Sequence, residues 1–364
     1  MNVKKSVECL MREAIELAKS GVNHVSPNPY TGALVVRDER VIGRGRHEKY
    51  GEAHAEVNAI RDAGGNVEDC ELFVTLEPCS HYGKTPPCTD LIIQSKISKV
   101  YIGMQDPNPL VAGDGIQKLR NAGIIVEMDI LHDECANLNQ PFIKMMTSGL
   151  PYIIAKAAIT IDGFMADKSG CSKWISSTES RKTVHEMRAK SDAVMVGMGT
   201  VLADNPELTV RNADGMNSAR IVYDPRGNIS MDTKLVQTAK NIPLYLIAGP
   251  DLPKQQEILL QNEGVHIVYC ETKGLNCLQE GLKLIGKQGI QSILVEGGGK
   301  LHTFLAQEDL IDKLELFIAP KMLGDGVSMM KIPPVLMPDS DRFINYKWKH
   351  SGSDMQFTGI IKKY

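Results

Sequence analysis

A chain of 364 residues is long for one hydrophobic core, so two domains are expected. Its 43% hydrophobic and 23% charged residues, without low-complexity tracts or a clear repeat, exclude a disordered chain. The formal net charge of −3 gives no electrostatic reason for a nucleic-acid or anionic-membrane partner, and no apolar run approaches the ~18 residues of a membrane span.

The opening stretch MNVKKSVECLMREAIELAKSG places Val7, Leu10, Met11, Ala14, Ile15 and Ala18 at three- and four-residue steps, an amphipathic helix. Glu8, Arg12, Glu13 and Glu16 interrupt the apolar run a secretory signal needs, and a cytoplasmic protein is expected. GALVV and RVIGRG read as an antiparallel hairpin turning at Asp38-Glu39. HAEVNAIRDAG is a short helix closed by Gly64 and Gly65. ELFVTL, KVYIGM and GIIVEM read as strands, and HDECANLNQPFIKMM as partly helical, broken near Pro141. TSGLP, residues 147–151, carries the Gly and Pro of a boundary, which divides the chain into domains 1–147 and 148–364. The second part opens on the strand YIIAKAAITI. AVMVG, RIVYD, PLYLIAG, VHIVY, SILVEG and KLELFIAP follow as strands. Helical stretches lie between several of them, such as TESRKTVHEMRAK, where Ser176 and Glu179 have the spacing of a capping box. Strands alternating with helices point to α/β architecture in both halves.

In a cytoplasmic protein the eight cysteines stay reduced. Cys9, Cys70, Cys135, Cys171, Cys270 and Cys277 lie scattered and read as small buried or surface residues. Cys79 and Cys88 differ. They belong to LEPCSHYGKTPPC, spaced too widely for a C-x-x-C clip, and His54 and Glu56 stand upstream in HAE. H-x-E followed by P-C and a further cysteine is the signature of zinc-dependent nucleobase deaminases. Two thiolates and an imidazole hold Zn²⁺ and leave its fourth position for water. The metal lowers the pKa of that water from ~15.7 toward ~7. Glu56 acts as base without being a ligand, moving the proton to the ring nitrogen and helping ammonia leave. Residues two apart lie roughly 200° apart around a helix, so His54 and Glu56 converge only where the helix begins, and the zinc belongs at that N-terminus. Cys88 opens CTDLIIQS, a helix start whose dipole favours a thiolate. Any one of these residues alone is more simply core packing; the full set makes the metal site.

HAEVNAI with TLEPCSHYGKTPPC resembles the deaminase half of the bifunctional riboflavin-biosynthesis deaminase-reductases, whose wide cysteine spacing it shares. The resemblance implies a cytidine-deaminase-like α/β/α domain and a pyrimidinone substrate, 2,5-diamino-6-(5-phosphoribosylamino)pyrimidin-4(3H)-one, hydrolysed at its C2 amine. It implies a base-binding role for Asn28 in SPNPYTGALV, whose amide offers both donor and acceptor. His81 and Lys84, between the thiolates, then meet the ribose or phosphate, and Asp106 and Asn108 in MQDPNPLVAGDG form a substrate loop. Turn chemistry is the plainer explanation for each of these residues.

Three stretches of the second half, KAAITIDGFMADKSGCSKWISS, MVGMGTVLADNPELTVR and ILVEGGGKLHTFL, look like the reductase half of the same family. Alone, EGGG is a weak signal, since glycines between strand and helix admit a phosphate but also simply turn the chain. GMGTVL holds only part of G-x-G-x-x-G, which excludes a Rossmann fingerprint. The resemblance implies a dihydrofolate-reductase-like α/β domain. There NADPH delivers hydride to C1 of the open-chain ribose of 5-amino-6-(5-phosphoribosylamino)uracil, leaving a ribityl group. Ala158, Trp174, Thr200 and Asp204 match cofactor positions, with Gly298, Gly299, Lys300, Leu301, His302, Thr303 and Phe304 as the phosphate loop. Ser172, Arg188, Leu208, Arg211 and Glu296 match substrate positions, and Lys156 on the first strand touches the sugar. Arg188 and Arg211 are expected to clamp the substrate phosphate, Trp174 to lay a flat face on a cofactor ring, and Glu296, ending an apolar strand, to meet something polar. Trp174 could equally be plain core and Arg188 a solvated helix residue. Thr160 and Ile161 stand where the family's commoner wording has serine and leucine, and Arg226 is placed near the cofactor 2′-phosphate by charge and position alone. The family implies a homo-oligomer assembled through the second domain.

Two other readings stay open on the sequence. In one, the second domain is catalytically degenerate and serves only assembly, so NADPH is not oxidised. In the other, HAE…PC…C is a structural zinc site in a protein that binds flavin precursors. Three ligands beside a free carboxylate argue against the latter, because structural sites are closed by four protein ligands.

Overall fold

The computed structural model describes residues 6–21 and 25–362. The chain divides into two compact units between Gly149 and Leu150. The first unit runs α1 (Val7–Lys19), β1 (Gly32–Arg37), β2 (Arg40–Arg46), α2 (Ala55–Asp62), β3 (Glu71–Val74), α3 (Cys88–Gln94), β4 (Lys99–Ile102), α4 (Asp114–Asn121), β5 (Ile125–Glu127), α5 (His132–Leu138) and α6 (Gln140–Ser148). Its sheet has the order β2-β1-β3-β4-β5, with β1 antiparallel to β2 and β3, and β3, β4 and β5 parallel. The β1–β2 hairpin turns at Asp38 (φ 48) and Glu39 (φ 64), both left-handed as a two-residue type I′ turn requires.

Strand alternation sorts the core onto the two faces of this sheet. Leu34, Val36, Phe73 and Tyr101 cluster with Leu10, Met11, Ala14 and Ile15 of α1. Ala33, Val35, Leu72, Val74, Val100 and Ile102 cluster with Ala55, Ala59, Ile92, Ile116 and Leu119 from α2, α3 and α4. Helix α2 lies on β2 with backbone against backbone. A Cβ at Gly43 would overlap the Ala59 carbonyl oxygen, and one at Gly45 would overlap the Ala55 carbonyl oxygen and the Ala59 amide. The pair α5/α6 breaks at Asn139, ahead of Pro141, which sits inside the first turn of α6 where proline is tolerated. Asn139 is buried there, its side chain bonded to both the N–H (2.8 Å) and the carbonyl (3.0 Å) of Tyr30. Thr147 and Ser148 continue α6, and Gly149 (φ 69) ends it in the left-handed conformation.

The second unit runs β6 (Tyr152–Thr160), β7 (Phe164–Ala166), α7 (Thr178–Lys190), β8 (Ala193–Gly197), α8 (Met198–Asp204), β9 (Ala219–Tyr223), α9 (Lys234–Gln237), β10 (Leu244–Ala248), α10 (Lys254–Asn262), β11 (Val265–Tyr269), α11 (Leu275–Lys287), β12 (Ser292–Val295), α12 (Gly299–Gln307), β13 (Lys313–Ala319), β14 (Val327–Ser328), β15 (Phe343–Ser351) and β16 (Asp354–Ile361). Nine strands form one sheet, β11-β10-β9-β8-β12-β6-β13-β16-β15, parallel from β11 to β13 and closed by the antiparallel pair β16 and β15. The strands from YIIAKAAITI to KLELFIAP match the sequence expectation; β7, β14 and the C-terminal hairpin β15–β16 do not appear in it. Helix α7 is capped by Ser177, which accepts from the Ser180 amide, one residue beyond the expected Ser176. Glu179 is therefore in the second position of the helix and does not close a capping box.

Candidate active sites

In the first unit the loops at the carboxyl ends of β3 and β4 carry the chemistry, where open α/β sheets place their ligands. His54 is the N-cap residue of α2, still extended (φ −74, ψ 168), and Glu56 lies in the first turn. Cys79 follows β3, and Cys88 opens α3. The ligand atoms of His54, Cys79 and Cys88 lie within 4.8 Å of one another, a convergence of His, Cys, Asp or Glu groups found nowhere else among the described residues. His54 Nδ1 is 3.5 Å from Cys79 Sγ and 3.3 Å from Cys88 Sγ. Zn–S bonds of ~2.3 Å and Zn–N bonds of ~2.0 Å in a tetrahedron space such atoms roughly 3.5 Å apart, so the three residues fit zinc.

The Cys88 amide donates to Cys79 Sγ (3.3 Å), so the first N–H of α3 serves charge on Cys79 and not, as the sequence suggests, on Cys88. The hydrogen bond from the Cys88 thiol is the largest influence on Cys79 and, with His54 and this amide, holds its thiol well below the usual range. Donating that same bond pushes Cys88 up. Glu56 is buried, and burial pushes its carboxyl above the usual range, which suits a group that must accept a proton.

A cavity of about 230 Å³ is lined by Asn28, His47, His54, Glu56, Cys79, His81, Asp106 and Asn108, with Leu76, Phe142 and Met146 among its apolar walls. His47 is a residue the sequence reading missed. Its Nδ1 lies 3.0 Å from the Ala53 carbonyl oxygen and its Nε2 2.9 Å from Asn28 Nδ2, which fixes the neutral ring with its proton on Nδ1. Burial lowers the His47 pKa and keeps it in that form. The one signal in the sequence is the histidine of RGRHEKYGEAHAE, ahead of His54. Asp106 and Asn108 line the cavity and also make the turn bonds that residues of their type favour, Asp106 Oδ1 accepting from Asn108 N (2.8 Å) and Asn108 Oδ1 from Leu110 N (3.1 Å). Lys84 is not in the cavity wall. It is exposed, with its ammonium 3.9 Å from the centre of the Tyr50 ring.

In the second unit, Lys156 and Ala158 share one face of β6, while Ala155 and Ala157 turn into the core. Glu296 follows β12, the neighbour of β6. Arg188 of α7 grips it with both arms, Nε to Oε1 at 2.6 Å and a terminal nitrogen to Oε2 at 3.0 Å, and gives its other terminal nitrogen to the Thr209 carbonyl (2.8 Å). Lys156 Nζ stands 3.9 Å from Glu296 Oε2. Burial would raise the Glu296 carboxyl, but the Arg188 charge and hydrogen bonds, helped by Lys156, hold it below the usual range. Burial also lowers the Lys156 amine, which Glu296 only partly offsets. The expected clamp of Arg188 with Arg211 is not formed. Arg188 is committed to Glu296, and the exposed Arg211 guanidinium reaches Glu207 (3.0 Å).

Of the expected cofactor residues, Trp174 is not core: it is 65% exposed, with the Arg181 guanidinium 4.7 Å from its ring centre and its carbonyl bonded by Lys321. Ser172 is exposed in the same loop, and Asp204 at the end of α8 lies 3.9 Å from Lys173. Leu208 is buried with a left-handed backbone (φ 57), and Arg226 is exposed after β9. Gly298 caps α12, and a Cβ there would have Thr200 Oγ1 (3.6 Å) as its nearest neighbour, so this face of the loop is open toward Thr200. An open loop at the start of a nine-residue helix fits the phosphates of a dinucleotide. Gly299 is glycine for packing instead, since a Cβ would meet the Ser328 carbonyl oxygen at 2.6 Å. The side chains of Leu301 and His302 point into the core, Phe304 packs against it, and Thr303 bonds the Gly299 carbonyl (2.7 Å). Within 298–304, the exposed Lys300 is therefore the one long side chain left at the surface.

Residues 4–104 match the family model for the cytidine and deoxycytidylate deaminase zinc-binding region, and residues 151–357 that for the RibD C-terminal domain. The chain is 39% identical over 355 residues to the riboflavin biosynthesis protein RibD of Aquifex aeolicus, which covers 97% of this chain and 98% of that protein. It is 37% identical over 358 residues to the RibD of Escherichia coli, with 96% and 97% covered. Among solved structures, Acinetobacter baumannii RibD matches with a TM-score of 0.87 at 37% identity over 98% of this chain and 99% of that one. A diaminohydroxyphosphoribosylaminopyrimidine deaminase/5-amino-6-(5-phosphoribosylamino)uracil reductase of Thermotoga maritima matches at 0.85 and 36%, with 98% of each covered. With a zinc-fitting triad in a deaminase-like first unit and a reductase-like second unit, the chain belongs to the RibD family of riboflavin biosynthesis, enzymes that join a zinc-dependent deaminase to an NADPH-dependent reductase.

Proposed function

We propose that the first unit deaminates 2,5-diamino-6-(5-phosphoribosylamino)pyrimidin-4(3H)-one, and that the second reduces the resulting 5-amino-6-(5-phosphoribosylamino)uracil to its ribityl form. The observation that carries this reading is the meeting of His54, Cys79 and Cys88 within 4.8 Å beside a cavity that also holds the buried carboxyl of Glu56. Zinc held by those three residues supplies a Lewis acid that makes a water acidic near neutral pH. Glu56 carries one proton of the attacking water to the ring nitrogen, then carries the proton of the new C2 hydroxyl to the amine, which leaves as ammonia while the carbonyl forms. Asn28, its amide nitrogen held by His47, offers its carbonyl oxygen to the base. His81, Asp106 and Asn108 line the route toward the ribose, and the exposed Lys84 takes the phosphate end.

In the second unit NADPH supplies the hydride. Lys156 places an N–H donor at the sugar, Glu296 stands beside it, and Arg188 holds Glu296 in place. The solvent-facing Arg211 meets the substrate phosphate. Ala158, Thr200, Gly298 and Trp174 border the cofactor. The reading in which this unit only assembles copies is not favoured. Three charged groups gathered out of water are costly to keep unless they work on a ligand, and Lys156, Arg188 and Glu296 are so gathered. We also place the protein in the cytoplasm, as a homo-oligomer assembled through the second unit. No described helix is long and apolar enough to cross a membrane.

Glu56→Gln tests the deaminase assignment. Zinc content should be unchanged, ammonia release should fall by about 10²–10⁴-fold, and NADPH oxidation with the deaminated substrate should persist. Undiminished ammonia release would remove Glu56 from its role.

A further inference from the structure

Glu77 sits between Leu76, two residues past the end of β3, and the zinc-ligand run Pro78-Cys79, and the reaction as described leaves it without a task. It is buried, and its own amide is fixed to the Met104 carbonyl (2.9 Å), just beyond β4. Its carboxylate collects four backbone N–H groups. Oε2 accepts from Asp106 (3.0 Å) and Gly113 (3.0 Å), and Oε1 from Gly115 (2.9 Å) and Ile116 (3.2 Å). Helix α4 has no cap of its own, because Gly113 stands at the N-cap without a side chain, so a residue from another loop closes its first turn.

A carboxylate offers about four lone-pair positions, and all are used here. Although Glu77 borders the cavity, its oxygens are committed to the backbone of the neighbouring loop. The loop 106–113 is thus tied to one side chain at both of its ends. That loop carries Asp106, Asn108 and Val111, all of which line the cavity. We propose that Glu77 is a positioning residue for deamination: it holds the loop bearing Asp106 and Asn108 in register with the neighbouring zinc ligand Cys79. The inference rests on the deaminase pocket assigned above. Glutamine cannot substitute, because its amide nitrogen would face two N–H donors and leave both unpaired. Aspartate keeps the charge but is one methylene short, so it restores part of the set.

The full chain carries its own folding control in its second activity. For Glu77→Gln, KM for the pyrimidine substrate should rise about tenfold or more. Its kcat should stay within about twofold, and zinc content and NADPH oxidation should match the wild type. Glu77→Asp should recover part of the KM. An unchanged KM overturns the proposal, as does a joint loss of kcat, KM and zinc that aspartate does not relieve, since that is the mark of a plain helix cap. If the glutamine variant does not fold, amide exchange on the wild-type protein decides. The amides of Asp106, Gly113, Gly115 and Ile116 should be protected together, and exchange at the rate of an open loop overturns the idea. A wild-type chain that releases no ammonia sinks the deaminase reading instead, and the exchange measurement still judges Glu77.

Discussion

His302 lies in the core of the second unit with Nε2 3.3 Å from the Val295 carbonyl oxygen and no hydrogen-bond partner at Nδ1. Burial, assisted by the nearby Lys156 charge, brings its pKa down to about 4, so the folded ring is neutral. In the unfolded chain the ordinary value of 6.5 returns. Between those two values the unfolded state binds more protons than the folded one, and stability must fall as pH is lowered, by about 1.4 kcal/mol per pH unit at the steepest. His302→Gln keeps a donor for Val295 and removes the titration. Its urea midpoint should therefore fall less steeply than that of the wild type from pH 6.5 to 4; parallel curves would rule this out. A neutral buried imidazole cannot balance a phosphate charge, so His302 is left only its backbone to offer in the expected phosphate loop. The contrast with the zinc site marks how far single residues are legible. His54, Cys79, Cys88 and Glu56 are readable because few side chains can do their chemistry. His47 and Glu77 are not, because their tasks are defined by Asn28 and by four amides that only the fold brings near.

At the scale of elements, the seat of α2 on β2 decides where His54 and Glu56 arrive. Any side chain at Gly45 meets the backbone of Ala55 and Ala59, which cannot move without shifting the helix. Gly45→Ala should destabilise the first unit by about 3 kcal/mol or more and weaken zinc retention, read by thermal unfolding and metal content. A variant with wild-type melting and full zinc would show that the helix tolerates a wider spacing. The C-terminal hairpin has a pattern legible in the sequence. Ile344, Tyr346 and Trp348 alternate with Asn345, Lys347 and Lys349, the two-residue period of a strand. The cap of α7 is the opposite case. Ser176 and Ser177 are equally good capping types, and only backbone geometry chooses the second. The ion pair of Arg188 with Glu296 joins α7 to the end of β12, and no local pattern announces it.

For the whole molecule, alternating strands and helices were enough to read two α/β units, but not the order of strands within each sheet. That order puts β15 at one edge of the nine-stranded sheet. Trp348 is 53% exposed there although its ring lies 4.7 Å from Phe357, and Tyr346 also stacks on Phe357. Leu336 and Met337, just upstream, are more exposed still. Apolar surface of this kind is what an assembling face presents. For the homo-oligomer proposed above, a wild-type mass of more than one chain, measured by light scattering, should fall to that of one chain when Tyr346→Lys is combined with Trp348→Lys, with near-ultraviolet circular dichroism keeping its native form; a wild-type mass of one chain overturns the oligomer, and an unchanged oligomeric mass in the variant overturns this face. The two glycines of β2 carry a lesson for anyone grafting this centre into a different scaffold. Copying H-A-E and the two cysteines transfers the ligands but not the depth at which their helix rides. Gly43 and Gly45 belong to the transplant, although neither is a ligand, because a side chain at either presses on the backbone of the helix whose N-cap is the ligand His54.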